Sequence, residues 1–201
     1  MAKRKTALIT NLVLVFVILL VPISALSEVT LKVGDVAPSF VLPNEAGESV
    51  SLDQFQGKVV VLEWINPDCP YVKRHYKAST MRSLAEKYSA KVAWIAVNST
   101  HYMEATRNAE WKKEHQLSYP ILRDADGAVG RSYGAKTTPH MFVISPEGKI
   151  AYQGAIDDDP YGDKSVPENY VDKSLDELLA GKQLSSAETA PYGCSVKYAK
   201  G

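Results

Sequence analysis

Three features of the chain predict an α/β domain with a mixed central sheet. Two nearly continuous apolar runs rich in β-branched residues, Lys58–Ile65 ("KVVVLEWI") and Lys91–Val97 ("KVAWIAV"), read as strands buried on both faces. Segments with helical spacing of apolar residues follow them. "HMFVI" and Ile150–Gly154 flank the turn "SPEGK" as a β-hairpin. Strand, helix, strand, helix, strand, hairpin, helix is the order of a sheet with helices packed against it.

The N-terminus carries Lys3, Arg4 and Lys5, then the unbroken apolar run Leu12–Val21, which is about half of the ~20 residues a membrane span needs. Pro22 breaks that run, and the small residues Ala25 and Ser27 suit a cleavage site. This is the layout of a secretory signal peptide over residues 1–27, with an uncleaved N-terminal anchor as the alternative. The expected location is therefore extracytoplasmic, periplasmic or secreted, with membrane contact only through that segment. Residues 28–184 are expected to form the domain and residues 185–201 a tail.

The 23 Lys and Arg balance the 23 Asp and Glu, and loss of the leader's three basic residues leaves a mildly acidic chain. No basic stripe or polybasic patch exists to recruit nucleic acid or a membrane surface. Two cysteines in an exported chain can persist as a disulfide.

Residues 29–53 read as an extended lead-in with turns at Gly34-Asp35, Pro43-Asn44 and Gly47. One helix is expected from Pro70, with Val72, Tyr76, Leu84 and Tyr88 on its apolar face, because proline favours the first turn. Glu104–His115 reads as a polar helix, Tyr119–Arg123 as a short strand before the Asp126-Gly127 turn, and Tyr170–Leu179 as an amphipathic helix. The tail ends in "PYGCSVKYAKG", whose Pro191, Tyr192, Val196 and Tyr198 predict that it docks.

The chemistry centres on "EWINPDCPYVKRHY". Cys69 sits where a strand turns into a helix, facing unpaired N–H groups and the positive end of the helix dipole, both of which favour thiolate. Lys73 and Arg74 add positive charge. The alternative for Cys69 is an inert buried residue or half of a structural bridge. Glu63, inside the apolar strand, is costly to bury without a role or a partner. Burial would raise its pKa and suit it to shuttle a proton for a thiol; otherwise it faces the sheet edge or pairs with a lysine such as Lys91.

These residues carry a resemblance. Val59–Lys73, with Glu63 six positions before Cys69, resembles the active-site segment of thioredoxin-fold proteins. "VGDVAPSFVLPNEAGESVSL" followed by "GKVVVLEW" resembles the N-terminal signature of peroxiredoxins and of exported thioredoxin-like proteins of the TlpA/ResA type. "CPYVKRHY", "TPHMFVI" and the terminal "GCSVKY" are most similar to the peroxiredoxin-like subgroup of the alkyl hydroperoxide reductase/thiol-specific antioxidant family. The resemblance implies a thioredoxin-like fold and a thiol-dependent oxidoreductase with Cys69 as nucleophile. It implies that Thr138 precedes a cis Pro139, and that these two line a substrate-binding groove with Pro70 and Tyr71. Partners would be protein thiols or disulfides, or a peroxide, with electrons from another thiol protein and no cofactor.

Departures from the pattern shape the expectation. Val72 replaces the second cysteine of C-x-x-C. A peroxiredoxin would place its peroxidatic cysteine at position 72, with Thr or Ser three residues earlier; Cys69 stands there, and Asn66 stands three before Cys69. Thr138-Pro139 replaces the arginine many peroxiredoxins carry nearby, so the peroxide-activating triad is not evident. Cys194 is then the candidate resolving cysteine, in a redox-active Cys69–Cys194 disulfide. The rival is a binding module in which the same bridge is a static staple worth about 4–5 kcal/mol. A copper chaperone of the Sco type would use His75 or His140 with the cysteines, but such proteins carry a C-x-x-x-C pair that this chain lacks, so no metal is expected. His75 is expected on the helix surface, and Asp157–Asp159 in a solvated loop rather than a calcium site.

Overall fold

The computed structural model describes residues 31–200; the leader expected over residues 1–27 lies outside them. Among the described residues no helix is long and apolar enough to cross a membrane.

The lead-in folds into a small hairpin, β1 (Val41–Pro43) and β2 (Ser49–Ser51), where only extended chain with turns was expected. Asn44 closes it by accepting the N–H groups of Ala46 and Glu48 on its side-chain oxygen. A 3-10 turn over Leu52–Phe55 leads into β3 (Val59–Trp64). Helix α1 (Pro70–Lys77) and helix α2 (Thr80–Tyr88) replace the single helix expected from Pro70. The break is at Ser79, which has φ 57 and ends the helical path although no Gly or Pro marks the place.

Strand β4 (Val92–Asn98), helix α3 (Ala105–Glu114), strand β5 (Ile121–Arg123) and the short helix α4 (Ala128–Ser132) follow. Then come β6 (Thr137–Thr138), β7 (His140–Ile144), β8 (Ile150–Gly154), α5 (Tyr170–Leu179) and β9 (Cys194–Ser195). The central sheet has the order β5-β4-β3-β7-β8, with β3–β4 and β4–β5 parallel and β3–β7 and β7–β8 antiparallel. It is the mixed sheet flanked by helices that the apolar runs predict.

Every residue of β3 is buried, which is why its sequence is apolar without alternation. Val59, Val61 and Glu63 face α1, α2 and α5, while Val60, Leu62 and Trp64 face the lead-in and Tyr133. The chain turns out of β3 through Asn66, whose side chain accepts the Asp68 N–H at 2.8 Å and whose carbonyl accepts the Cys69 N–H at 2.9 Å. That turn sets Cys69 as the residue capping α1, with Pro70 opening the helix.

The tail docks along its length. Gln153 N–H donates to Ala187 O and accepts Thr189 N–H on its carbonyl, each at 3.1 Å, covering the outer edge of β8. β9 pairs antiparallel with β6, setting Cys194 opposite Thr138. Val196 N–H donates to Lys136 O, His101 N–H donates to Lys197 O, and Tyr198 OH donates to Ala135 O. Arg131 closes over the Tyr198 ring at 4.7 Å.

Candidate active site: two thiols meeting at Thr138

Cys69, Thr138, Pro139 and Cys194 come together, brought by the α1 N-terminus, the β6–β7 junction and the tail. Cys69 is 2% exposed, and its Sγ lies 3.0 Å from Thr138 O, to which it donates as a thiol. The Thr138–Pro139 peptide bond is cis. Thr138 is paired across β6–β9 with Cys194, so the backbone edge beside Cys69 is occupied by the protein's own tail. Both cysteines are free thiols; the expected disulfide is not formed here, and the arrangement is that of a reduced pair. Pro70 and Tyr71 follow Cys69 on α1, where the Tyr71 ring lies 6.0 Å from Tyr192 and 6.3 Å from Tyr161.

The two thiols differ in acidity. Burial alone would raise Cys69, but hydrogen bonds to its sulfur from the Cys194 and Thr138 side chains and the Val72 and Cys194 N–H groups lower it. Cys194 is pushed up to about 11, by burial first and then by its hydrogen bond to Cys69 and that sulfur's negative charge. The two shifts run in opposite directions, so Cys69 is the more acidic thiol of the pair and Cys194 the one that holds its proton longer. The α1 N-terminus contributes through the Val72 N–H, the group that remains where a C-x-x-C protein would carry its second cysteine. Lys73 and Arg74 do not supply the expected charge at the sulfur: Lys73 is exposed, and Arg74 turns to the 157–159 loop.

Glu63 is fully buried. It accepts Tyr76 OH at 2.5 Å on one oxygen and Trp94 Nε1–H at 2.6 Å on the other, and Tyr119 OH reaches the Tyr76 oxygen at 3.5 Å. Neither the sheet edge nor Lys91, which is exposed, is its partner. Burial pushes its carboxyl up to about 7 against these donors. Its hydrogen bonds run to aromatic side chains and none of them to Cys69. Trp94 stands opposite Val61 in the β3–β4 register, so it shares a face with Glu63. A buried acid requires such donors, and that requirement was the available signal for them.

A second buried polar cluster lies under the tail. His75, expected on the helix surface, is 1% exposed, because α1 is roofed by the tail. Its Nε2 is 2.9 Å from Arg74 Nη2 and 2.9 Å from Tyr192 OH. Burial holds its pKa down to about 3, with Arg74 adding to the effect, so the ring is neutral. Arg74 can only donate, which assigns Nε2 as the acceptor and puts the ring proton on Nδ1. Asp157 and Asp159 are likewise buried rather than solvated. Asp157 accepts the Tyr192 hydroxyl in a very short hydrogen bond, and Asp159 accepts the N–H groups of Gly162, Asp163 and Lys164. His140 is buried in β7, with Nδ1 accepting Lys136 N–H at 3.2 Å. Among the described residues no group of three or more His, Cys, Asp or Glu is placed to hold a metal ion.

Comparison with known proteins places the chain in a family. The AhpC/TSA family matches residues 33–153. The thiol-disulfide oxidoreductase ResA of Bacillus thuringiensis is 29% identical over 124 residues, spanning 61% of this chain and 69% of the relative. The chloroplastic peroxiredoxin Q of Oryza sativa is 27% identical over 150 residues, spanning 71% and 64%. The crystal structure of a hypothetical protein from Sinorhizobium meliloti superposes with a TM-score of 0.79 at 27% identity, covering 86% of this chain and 97% of that one.

Proposed function

Since the chain belongs to the AhpC/TSA family and is a thiol-dependent oxidoreductase, we propose that it cycles between a Cys69/Cys194 dithiol and an intramolecular disulfide. The observation that carries this reading is the meeting of both cysteines at Thr138, one by its sulfur and one by its backbone register. The Cys69 thiolate attacks one sulfur of a substrate disulfide, forms a mixed disulfide and expels the other sulfur as thiolate. Cys194, on losing its proton, attacks the Cys69 sulfur and releases the second substrate thiolate. The substrate disulfide is thereby reduced to two thiols while the cysteine pair is oxidised, and an external dithiol returns the pair to its starting state. Pro139, Pro70 and Tyr71 form the walls at which the substrate is received, while the expected pairing edge at Thr138 is taken by β9.

The leader pattern over residues 1–27 supports action outside the cytoplasm, where the oxidised pair would persist. A peroxide is the second substrate class, favoured by the tail's occupation of the Thr138 edge, which leaves an extended protein segment nothing to pair with while a small oxidant needs no strand edge. In that case Cys69 becomes a sulfenic acid as the peroxide loses one oxygen, and Cys194 condenses with it, releasing water.

Thiol trapping tests the cycle. After mild oxidation the wild type should lose both free thiols without forming dimers, whereas Cys194→Ser should keep Cys69 alkylatable or carry it as a mixed disulfide. Two free thiols in oxidised wild type would overturn the reading. Consumption of hydrogen peroxide against reduction of insulin, each with dithiothreitol as reductant, separates the two substrate classes.

A further inference from the structure

We propose that Tyr192 is the positioning residue of the redox pair, its hydroxyl latching the tail into the buried Asp157–His75–Arg74 cluster so that Cys194 lies over Cys69. The inference rests on the Cys69/Cys194 reading of the site and names a residue that takes no part in the chemistry.

The cluster is built from three parts of the chain. Arg74 and His75 lie on α1, the helix that begins at Cys69. Asp157 follows β8, and its Oδ1 also accepts the Asp159 N–H at 3.1 Å. Only Tyr192 comes from the tail, two residues before Cys194. Its hydroxyl has two hydrogen-bond partners, donating to Asp157 and accepting from Arg74 Nη2 at 3.2 Å, and it packs 2.9 Å from His75 Nε2, with which it shares Arg74 as donor. The ring stacks on His75 with centroids 6.2 Å apart and leans on Tyr71. Arg74 Nη2 also donates to Asp159 O at 2.6 Å, so the loop holds the guanidinium in place besides its bond to the tail.

Without the hydroxyl, Asp157 and His75 would keep their places but lose the group that links them to the tail. A buried carboxylate left short of a donor is costly, so the docked tail is disfavoured relative to an open one. The other anchors, Thr189 and Tyr198, lie farther from Cys194 on either side, and Tyr192 is the one whose loss acts directly on the sulfur pair. Holding two groups together fixes their effective concentration. A weakened latch should therefore slow disulfide closure and, at the same time, uncover Cys69.

The test uses the full chain, wild type against Tyr192→Phe. Equilibration in a glutathione redox buffer gives the effective concentration of Cys194 at Cys69, which should fall tenfold or more in the variant. Iodoacetamide labelling of reduced protein, at a pH where Cys69 is ionised in both proteins, should meanwhile become faster at Cys69 by a similar factor. A general loss of stability would also expose Cys69, so amide exchange of β3 is followed alongside: it stays slow when only the latch is lost, and β3 exchange that accelerates in step with the labelling would overturn the latch. Asp157→Asn, which keeps an acceptor for the hydroxyl, should fall between wild type and Tyr192→Phe, and it serves in place of that variant should the latter fail to fold. Unchanged effective concentration with unchanged labelling would overturn the latch. Should wild type form no disulfide, the cycle itself falls, and the labelling rates alone decide whether Tyr192 holds the tail over Cys69.

Discussion

Glu63 is a carboxyl group with no charged partner, set among Tyr76, Trp94 and Tyr119. Its pKa is about 7 in the fold, raised mainly by burial, against 4.5 for an ordinary glutamate. The folded protein thus holds a proton that the unfolded chain has released between those values. Stability from this group is intact below about pH 4.5, falls as pH rises towards 7, and is level beyond it. The loss amounts to roughly 3 kcal/mol at 1.36 kcal/mol per pKa unit. Urea unfolding of Glu63→Gln at pH 5 and pH 8.5 should show this decline missing from the variant. Parallel curves for the two proteins would mean that Glu63 does not titrate in this range. The two phenols next to it can reverse their hydroxyls, so the carboxyl is satisfied in both states: it accepts from Tyr76 when ionised and donates to it when protonated. The hydrogen bonds of Glu63 end at these aromatic side chains, and none of them reaches Cys69.

Among the elements, the β6–β9 pair is short but decisive, and it depends on one glycine. Gly193 has φ 124, and a Cβ there would lie 2.2 Å from Thr138 O, the same carbonyl that accepts the Cys69 thiol. Both the backbone conformation and the close approach require glycine. Gly193→Ala should separate β9 from β6, so that amide exchange at Cys194 and Val196 accelerates while β3 and β7 stay protected. Unchanged protection of those tail amides would show that β9 tolerates the methyl group. Much of this layer was legible beforehand: β3 and β4 from their β-branched runs, the β7–β8 hairpin from "SPEGK", and the docking of the tail from its aromatic residues. The α1–α2 break was not, because Ser79 takes a left-handed conformation that its neighbours "KAST" do not announce. Nor were the partners of Glu63 and Tyr192. Trp94 meets Glu63 only through strand register, and His75 meets Tyr192 only once the tail has crossed the helix. Sequence spacing cannot report contacts that tertiary assembly creates.

At the scale of the whole molecule the tail is a strap from the β8 edge, across the thiol pair, to α4. Tyr198 at its end lies where Gly127 and Gly130 leave room for its ring. A Cys69–Cys194 bond would enclose a loop of roughly 125 residues, for which chain entropy gives about 5 kcal/mol of stabilisation. In the folded protein the strap already holds the thiols together, so closing the bond restricts mainly the unfolded chain. A thermodynamic cycle then ties stability to redox chemistry. The extra stability of the oxidised protein must equal the amount by which folding favours the disulfide. At about 30 mV per 1.4 kcal/mol, the pair should be roughly 100 mV more reducing in the native protein than in denaturant. Oxidised wild type should accordingly melt roughly 10–20 °C above the reduced form, while Cys194→Ser melts at one temperature with or without dithiothreitol. The two quantities are measured independently, one by unfolding and one by glutathione equilibration, and they must agree. A potential gap without the stability gap, or the reverse, would show that the oxidised species is not the bond beneath the strap.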